Sequence, residues 1–93
     1  MPHVEPLSGW GRYPVRDCAV WHPVTAEALH ATLPPLGRSI ARGNGRSYGD
    51  ASLNPEATID MRRLDRLIAF DDASGELACE AGVLLSDIID AFV

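Results

Sequence analysis

Between Arg42 and Asp50 the chain reads Arg-Gly-Asn-Gly-Arg-Ser-Tyr-Gly-Asp, and a stretch of this kind supports neither helix nor strand. Glycine has no Cβ, so it reaches positive φ cheaply and lets the backbone approach another group closely. Gly43, Gly45 and Gly49 directly follow the short apolar run of Ile40 and Ala41, which reads as the end of a strand. A loop so placed can turn successive N–H groups into a concave anion site, to which interleaved Arg and Ser add charge and a hydroxyl. The pattern is that of a phosphate cradle.

The rest of the chain sets limits on whose phosphate it holds. Ninety-three residues make one small domain with a thin core. A net charge of −5 leaves no basic footprint, so nucleic acid and anionic lipid are not expected partners. The positive charge is local. Arg38, Arg42 and Arg46 bracket the loop, while Arg62, Arg63 and Arg66 read as a solvated face. Cys18 and Cys79 show no metal-ligand spacing and read as buried reduced thiols, with a single disulfide left open. No metal site is expected. No run approaches the length of a membrane span, and the opening residues lack the basic and apolar regions of a secretory leader. These features favour a cytoplasmic protein.

The order of elements predicts an α+β fold. Residues 1–16, with Pro2, Pro6, Gly9, Gly11 and Pro14, read as an irregular arm that Trp10 and Tyr13 pin to the body. Residues 17–93 follow as one unit. Cys18 to Trp21 read as a strand, and Thr25 as the N-cap of a helix with Glu27 in its first turn. Ala26, Leu29 and Leu33 give that helix an apolar stripe, and Pro34-Pro35 is expected to stop it. Arg38 to Ala41 form the next strand, in a β-α-β order that sets the Gly loop at a strand's carboxyl end. Ala57 to Met61 read as a strand, and a hairpin follows, turning at Asp72 to Gly75 and returning through Glu76 to Glu80. A last helix carries Leu85, Ile88, Ile89 and Phe92 on one face. That stripe meets no stop signal before Val93, so the chain reads as truncated.

Several readings of the loop can be weighed. A dinucleotide fingerprint would need a third glycine where Tyr48 stands, and a helix where Gly49, Asp50, Asn54 and Pro55 follow. A P-loop would need Gly-Lys-[Ser/Thr], which is absent. Gly45-Arg46-Ser47-Tyr48-Gly49 is a literal G-x-S-x-G, but a serine-hydrolase elbow sets its serine between a strand and a helix, with its histidine later in the chain. Here His3, His22 and His30 all precede Ser47. The plainest alternative is a tight Asn44-Gly45 turn in a non-catalytic α+β module.

Taken with its flanks, the loop resembles the pyrophosphate-binding segment of flavoproteins of the vanillyl-alcohol oxidase/p-cresol methylhydroxylase family. The flanks are Trp21-x-Pro23-x-Thr25-x-Glu27, Ile59-Asp60-Met61, Leu64-Asp65-Arg66-Leu67 and Cys79-Glu80-Ala81-Gly82-Val83. Ser8-Gly9-Trp10-Gly11-Arg12 and the Arg-Ser-Tyr-Gly-Asp core look most like the branch containing decaprenylphosphoryl-ribose oxidase. The resemblance implies the first part of an FAD-binding domain of the p-cresol methylhydroxylase type. It also implies FAD as cofactor and a small-molecule alcohol or sugar as substrate. Arg42, Gly43, Asn44, Gly45, Arg46, Ser47, Tyr48, Gly49 and Asp50 are the implied cofactor-binding residues. Ser47 is the best side-chain donor to phosphate, with Arg42 and Asp50 bracing the loop's ends. Some members of the family bond FAD to a histidine where Arg46 stands here, so non-covalent FAD is expected. Catalytic residues and a substrate domain would lie beyond Val93, and this piece alone is expected to be inactive.

Overall fold

In a computed structural model that describes residues 2–93, apart from the side chains of Pro34 and Leu36, the chain forms two sheets and two helices. The fold is α+β, as the element order predicts. The larger sheet has a three-residue strand, Thr58–Asp60, at an inner position. β1 (His3–Leu7) pairs antiparallel with β2 (Arg16–Trp21). β3 (Ile40–Arg42) and β2 then run parallel to β4 (Thr58–Asp60), one on each side of it, in the order β1-β2-β4-β3.

β4 sits where the burial is greatest. All three of its residues are buried, together with Cys18 and Val20 of β2, and Ala57 and Leu64 at its flanks. Thr58, the buried first residue of the strand, is satisfied locally. Its hydroxyl donates to the Asn54 carbonyl at 2.8 Å and accepts from the Asn54 N–H at 2.9 Å. A buried hydroxyl without such partners would be strongly destabilising, so the Asn54-Pro55 turn and the core strand specify one another.

The arm departs from expectation. Residues 3–7 are a strand, not irregular chain, because each residue finds a register partner in β2, His3 opposite Val20 through to Leu7 opposite Arg16. Pro6 is tolerated because β1 is an edge strand and its missing N–H costs no inner-ladder bond. Helix α1 (Ala26–Leu36) also runs through Pro34-Pro35 to Gly37, at φ +68°. Proline keeps a helical φ, so two prolines in a last turn cost hydrogen bonds without ending the helix at once. Thr25 caps α1 as expected, accepting from the Ala28 N–H at 3.0 Å. Leu29 is half-buried, whereas Ala26 and Leu33 of the same stripe are exposed.

A hairpin of β5 (Leu67–Asp71) and β6 (Glu76–Cys79) makes the second sheet, and α2 (Leu85–Phe92) follows it. Arg66 clamps the hairpin's open end, donating to both carboxylate oxygens of Glu80. Those bonds, the Arg66 N–H and the guanidinium charge hold the Glu80 carboxyl below its ordinary value. Cys79 is exposed and Cys18 buried, and both are free thiols, so the expected pair of buried thiols holds for Cys18 alone. Gly82 joins this part to the larger sheet. Its N–H donates to the Leu64 carbonyl at 2.8 Å, and a Cβ there would collide with the Met61 and Leu64 carbonyl oxygens.

Candidate functional site

The connection from β3 to β4 makes the candidate site. Parallel neighbours need a long crossover, and a helix usually supplies it. Here residues 43–57 contain no helix or strand, so the crossover is loop throughout. Loops this long inside compact folds are uncommon and usually functional.

Arg42, the last residue of β3, organises the loop from beneath. Its guanidinium donates to the Ser8 carbonyl at 2.8 Å and to the Ser52 hydroxyl at 3.1 Å. It therefore ties the arm to the far side of the loop. Gly45, at φ +70°, lies over that guanidinium, and a Cβ there would meet it. Ser47 donates its hydroxyl proton to Ser52 at 3.1 Å. The expected brace at the loop's start is thus present in Arg42. At the other end Asp50 contributes its carbonyl, which accepts from the Leu53 N–H at 3.1 Å. Its carboxylate has no hydrogen bond or ion pair among the described residues, so Ser52 does the bracing expected of Asp50.

The arm packs against the loop at Gly9, which is buried. A Cβ on Gly9 would collide with the carbonyl oxygens of Ser47 and Gly49, and the Trp10 N–H donates to the Ser47 carbonyl at 2.8 Å. Those two carbonyls are therefore turned onto the arm. Because a trans peptide is planar, the N–H groups of Tyr48 and Asp50 point the opposite way. Among the described residues no backbone N–H from Gly43 through Asp50 donates to a protein acceptor. A Cβ on Gly43 or on Gly49 (φ +56°) would meet nothing within 4 Å. The loop thus presents free amides on a surface open to an approaching group. Such a row of amides is suited to an anion.

Beside it, Trp10 and Tyr48 meet edge to face, with ring centroids 5.8 Å apart and planes at 88°. Trp10 holds to the loop as expected. Tyr13 is 83% exposed and does not pin the arm. Arg46, Asn44 and Gly43 are exposed on the loop.

A second polar group lies at the carboxyl ends of β2 and β4. His22 bonds Glu5 of β1 through Nε2 at 2.5 Å, and its Nδ1 stands 3.4 Å from the Asp60 carboxylate. Arg62 grips the same carboxylate, at 2.6 Å through its terminal nitrogen. Burial alone would push the Asp60 carboxyl up, but the side-chain and backbone hydrogen bonds of Arg62 and its charge outweigh burial and hold it below the ordinary value. Arg62 is therefore not part of a merely solvated face. Glu5, His22 and Arg62 line a cleft of about 610 Å³ with Trp21, Pro23 and Thr32.

The arrangement discriminates among the readings of the loop. No helix follows Ser47; the chain turns through residues 48–52 and enters β4, so neither a nucleophile elbow nor a dinucleotide fingerprint is formed. Ser47 is hydrogen-bonded to Ser52, and among the described residues no histidine reaches it. A lone tight turn does not account for the free amides or for the arm locked against the loop. Ser8, Gly9, Trp10 and Ser52 belong to the site although the loop sequence does not single them out. The one available signal was Gly9 between a serine and a tryptophan. Among the described residues no cluster of side chains suits a metal ion, and no helix is long and apolar enough to cross a membrane.

No protein-family model matches the chain. It is 35% identical over 91 residues to decaprenylphosphoryl-beta-D-ribose oxidase of Mycolicibacterium smegmatis, a match taking in 91% of this chain and 20% of that relative. The chain thus spans about a fifth of the length of the curated relative it matches. The similarity is to an oxidase.

Proposed function

We propose that this chain forms the pyrophosphate-binding part of an FAD-linked oxidoreductase of the vanillyl-alcohol oxidase/p-cresol methylhydroxylase family. The observation that carries the reading is the set of free amides from Gly43 through Asp50, on a loop whose carbonyls at Ser47 and Gly49 are spent on the arm. The 35% identity to an oxidase supports it independently. Flavin would supply the redox chemistry, and the protein's task is to hold and orient it.

Each residue's part follows from its surroundings. The amides of Gly43 to Asp50 receive the pyrophosphate oxygens. Gly43 and Gly49 keep the approach free of side chains, and Arg42 fixes the loop's curvature from below. Arg46, exposed on the loop, adds a planar fork of donors at the rim. A guanidinium stays protonated and offers no nucleophilic nitrogen, so the flavin is held without a covalent bond to this loop. The Ser47 hydroxyl donates its hydrogen bond to Ser52, which leaves the amides as the principal donors. The substrate reading, an alcohol or sugar-type small molecule, rests on the relative's name and on the family resemblance.

The test is to purify the polypeptide that carries this chain at its natural length and read its absorbance. Bound flavin, released into the supernatant on acid precipitation, is the expected result. A colourless protein that also fails to take up added FAD would overturn the reading. Stoichiometric labelling of Ser47 by a fluorophosphonate would restore the hydrolase alternative.

A further inference from the structure

The aromatic pair at the junction of arm and loop does nothing visible for the fold. Trp10 is 63% and Tyr48 79% exposed, although both backbones are held firmly. Trp10 is fixed through its own N–H on the Ser47 carbonyl and through Gly9 locked against the loop. Tyr48 is fixed as a member of the loop, its carbonyl accepting from the Ala51 N–H at 3.3 Å. Two large rings on an anchored backbone are preorganised, and preorganised aromatic surface is what stacking on a ligand requires. The edge-to-face contact uses the edge of one ring and one face of the other, so broad ring surface stays open. Arg12 and Arg46, both exposed, each stand two residues from one of the rings in sequence and make no ion pair among the described residues.

We propose that Trp10 and Tyr48 form a stacking shelf for a planar heteroaromatic ring of the same dinucleotide whose pyrophosphate the loop receives. This rests on the cofactor reading above and adds the arm to the residues that hold the ligand. The occupant follows from covalent connection. A dinucleotide seated on the amides carries a ring at each end of its pyrophosphate, and Tyr48 is itself one of the residues lining that seat. A ring so tethered reaches the shelf at high effective concentration, whereas a separate ligand would have to be captured from solution. Isoalloxazine and adenine share the required chemistry, a flat π-surface with ring nitrogens, and experiment distinguishes them.

The protein at natural length, stripped of flavin, is titrated with FAD and separately with ADP, unaltered and as Trp10→Leu, Tyr48→Leu, Trp10→Phe and Tyr48→Phe. Each leucine variant is expected to weaken FAD binding roughly tenfold, the scale of one stacked base, and each phenylalanine variant to recover most of it. If isoalloxazine is the occupant, the leucine variants raise the emission of bound flavin and leave ADP affinity unchanged. If it is adenine, ADP affinity falls in parallel with that of FAD. Tyr48 is so exposed that its truncation costs little folding energy, so Tyr48→Leu decides the matter even if Trp10→Leu unfolds the arm. Unchanged FAD affinity and unchanged flavin emission in a folded Tyr48→Leu protein would overturn the shelf while leaving the pyrophosphate site standing. Failure of the unaltered protein to bind FAD would sink both.

Discussion

The two halves of this molecule use apolar residues in opposite ways. In the four-stranded sheet, β4 contributes only three residues and buries every one, and the Gly-rich crossover beside it is braced by Arg42, Ser52 and the arm. In the hairpin and α2, every residue of β5 is exposed and α2 buries none, although Leu85, Ile88, Ile89 and Phe92 share one helix face. Phe70 of the hairpin and Phe92 of the helix meet at 4.7 Å between ring centroids. The first half is fixed by burial and a few long-range hydrogen bonds. The second is fixed, within these residues, by local pairing.

If that contrast is right, substitutions should fall on a graded scale. The largest loss is expected at the seam. Gly82→Ala drives a methyl into the Met61 and Leu64 carbonyls and should cost about 3 kcal/mol in a urea melt. A near-neutral result would mean that the seam yields, and that the halves are less rigidly joined than the geometry indicates.

Next comes the charge pair under the sheet. Asp60→Asn leaves Arg62 without its carboxylate and should cost about 2 kcal/mol, discounted because Arg62 is half exposed. Its pH dependence has a definite sign. The folded-state value of Asp60 lies below its ordinary 3.8, so its contribution is complete above that value and is lost as pH falls through the lower folded one. Thermal melts below pH 4 should therefore show a smaller gap between wild type and Asp60→Asn than melts at pH 7.

A smaller effect, about 1.5 kcal/mol, is expected for Thr58→Val, which keeps the shape of the core strand but strips both bonds to Asn54. Amide exchange at Asn54 should rise with it. Smallest of all, Ile68→Thr in the exposed hairpin should change stability by no more than about 0.5 kcal/mol. A loss as large as that at Thr58 would erase the distinction between the halves.

How much of this was legible in the sequence depends on how local the determinant is. The hairpin, α2 and the Thr25 cap were readable because period and turn chemistry lie within a few residues. β1 was not, since its strand character comes from pairing with β2 and the prolines of the arm, Pro2, Pro6 and Pro14, argue for irregular chain. Pro34-Pro35 misplaced the end of α1 for the related reason that proline breaks bonds sooner than it breaks dihedrals. At the site, the glycines announced an irregular loop at the end of a strand. The arm's contribution went unannounced, because Gly9 acquires its meaning only when the Ser47 and Gly49 carbonyls are brought against it. The grip of Arg62 on Asp60 and the approach of His22 likewise depend on strands brought together by the fold, although the charges themselves are plain in the sequence.

The position of β4 between β2 and β3 has one further consequence. β2 and β3 do not pair with one another, so β3 joins the sheet only through β4. The Gly-rich segment is the tether that delivers β4. Its stiffness and length therefore set how readily that pairing forms, in addition to what the finished loop can hold. A replacement in this segment can slow the pairing of β4 with its neighbours, and kinetic assays of refolding will register changes that equilibrium melts miss.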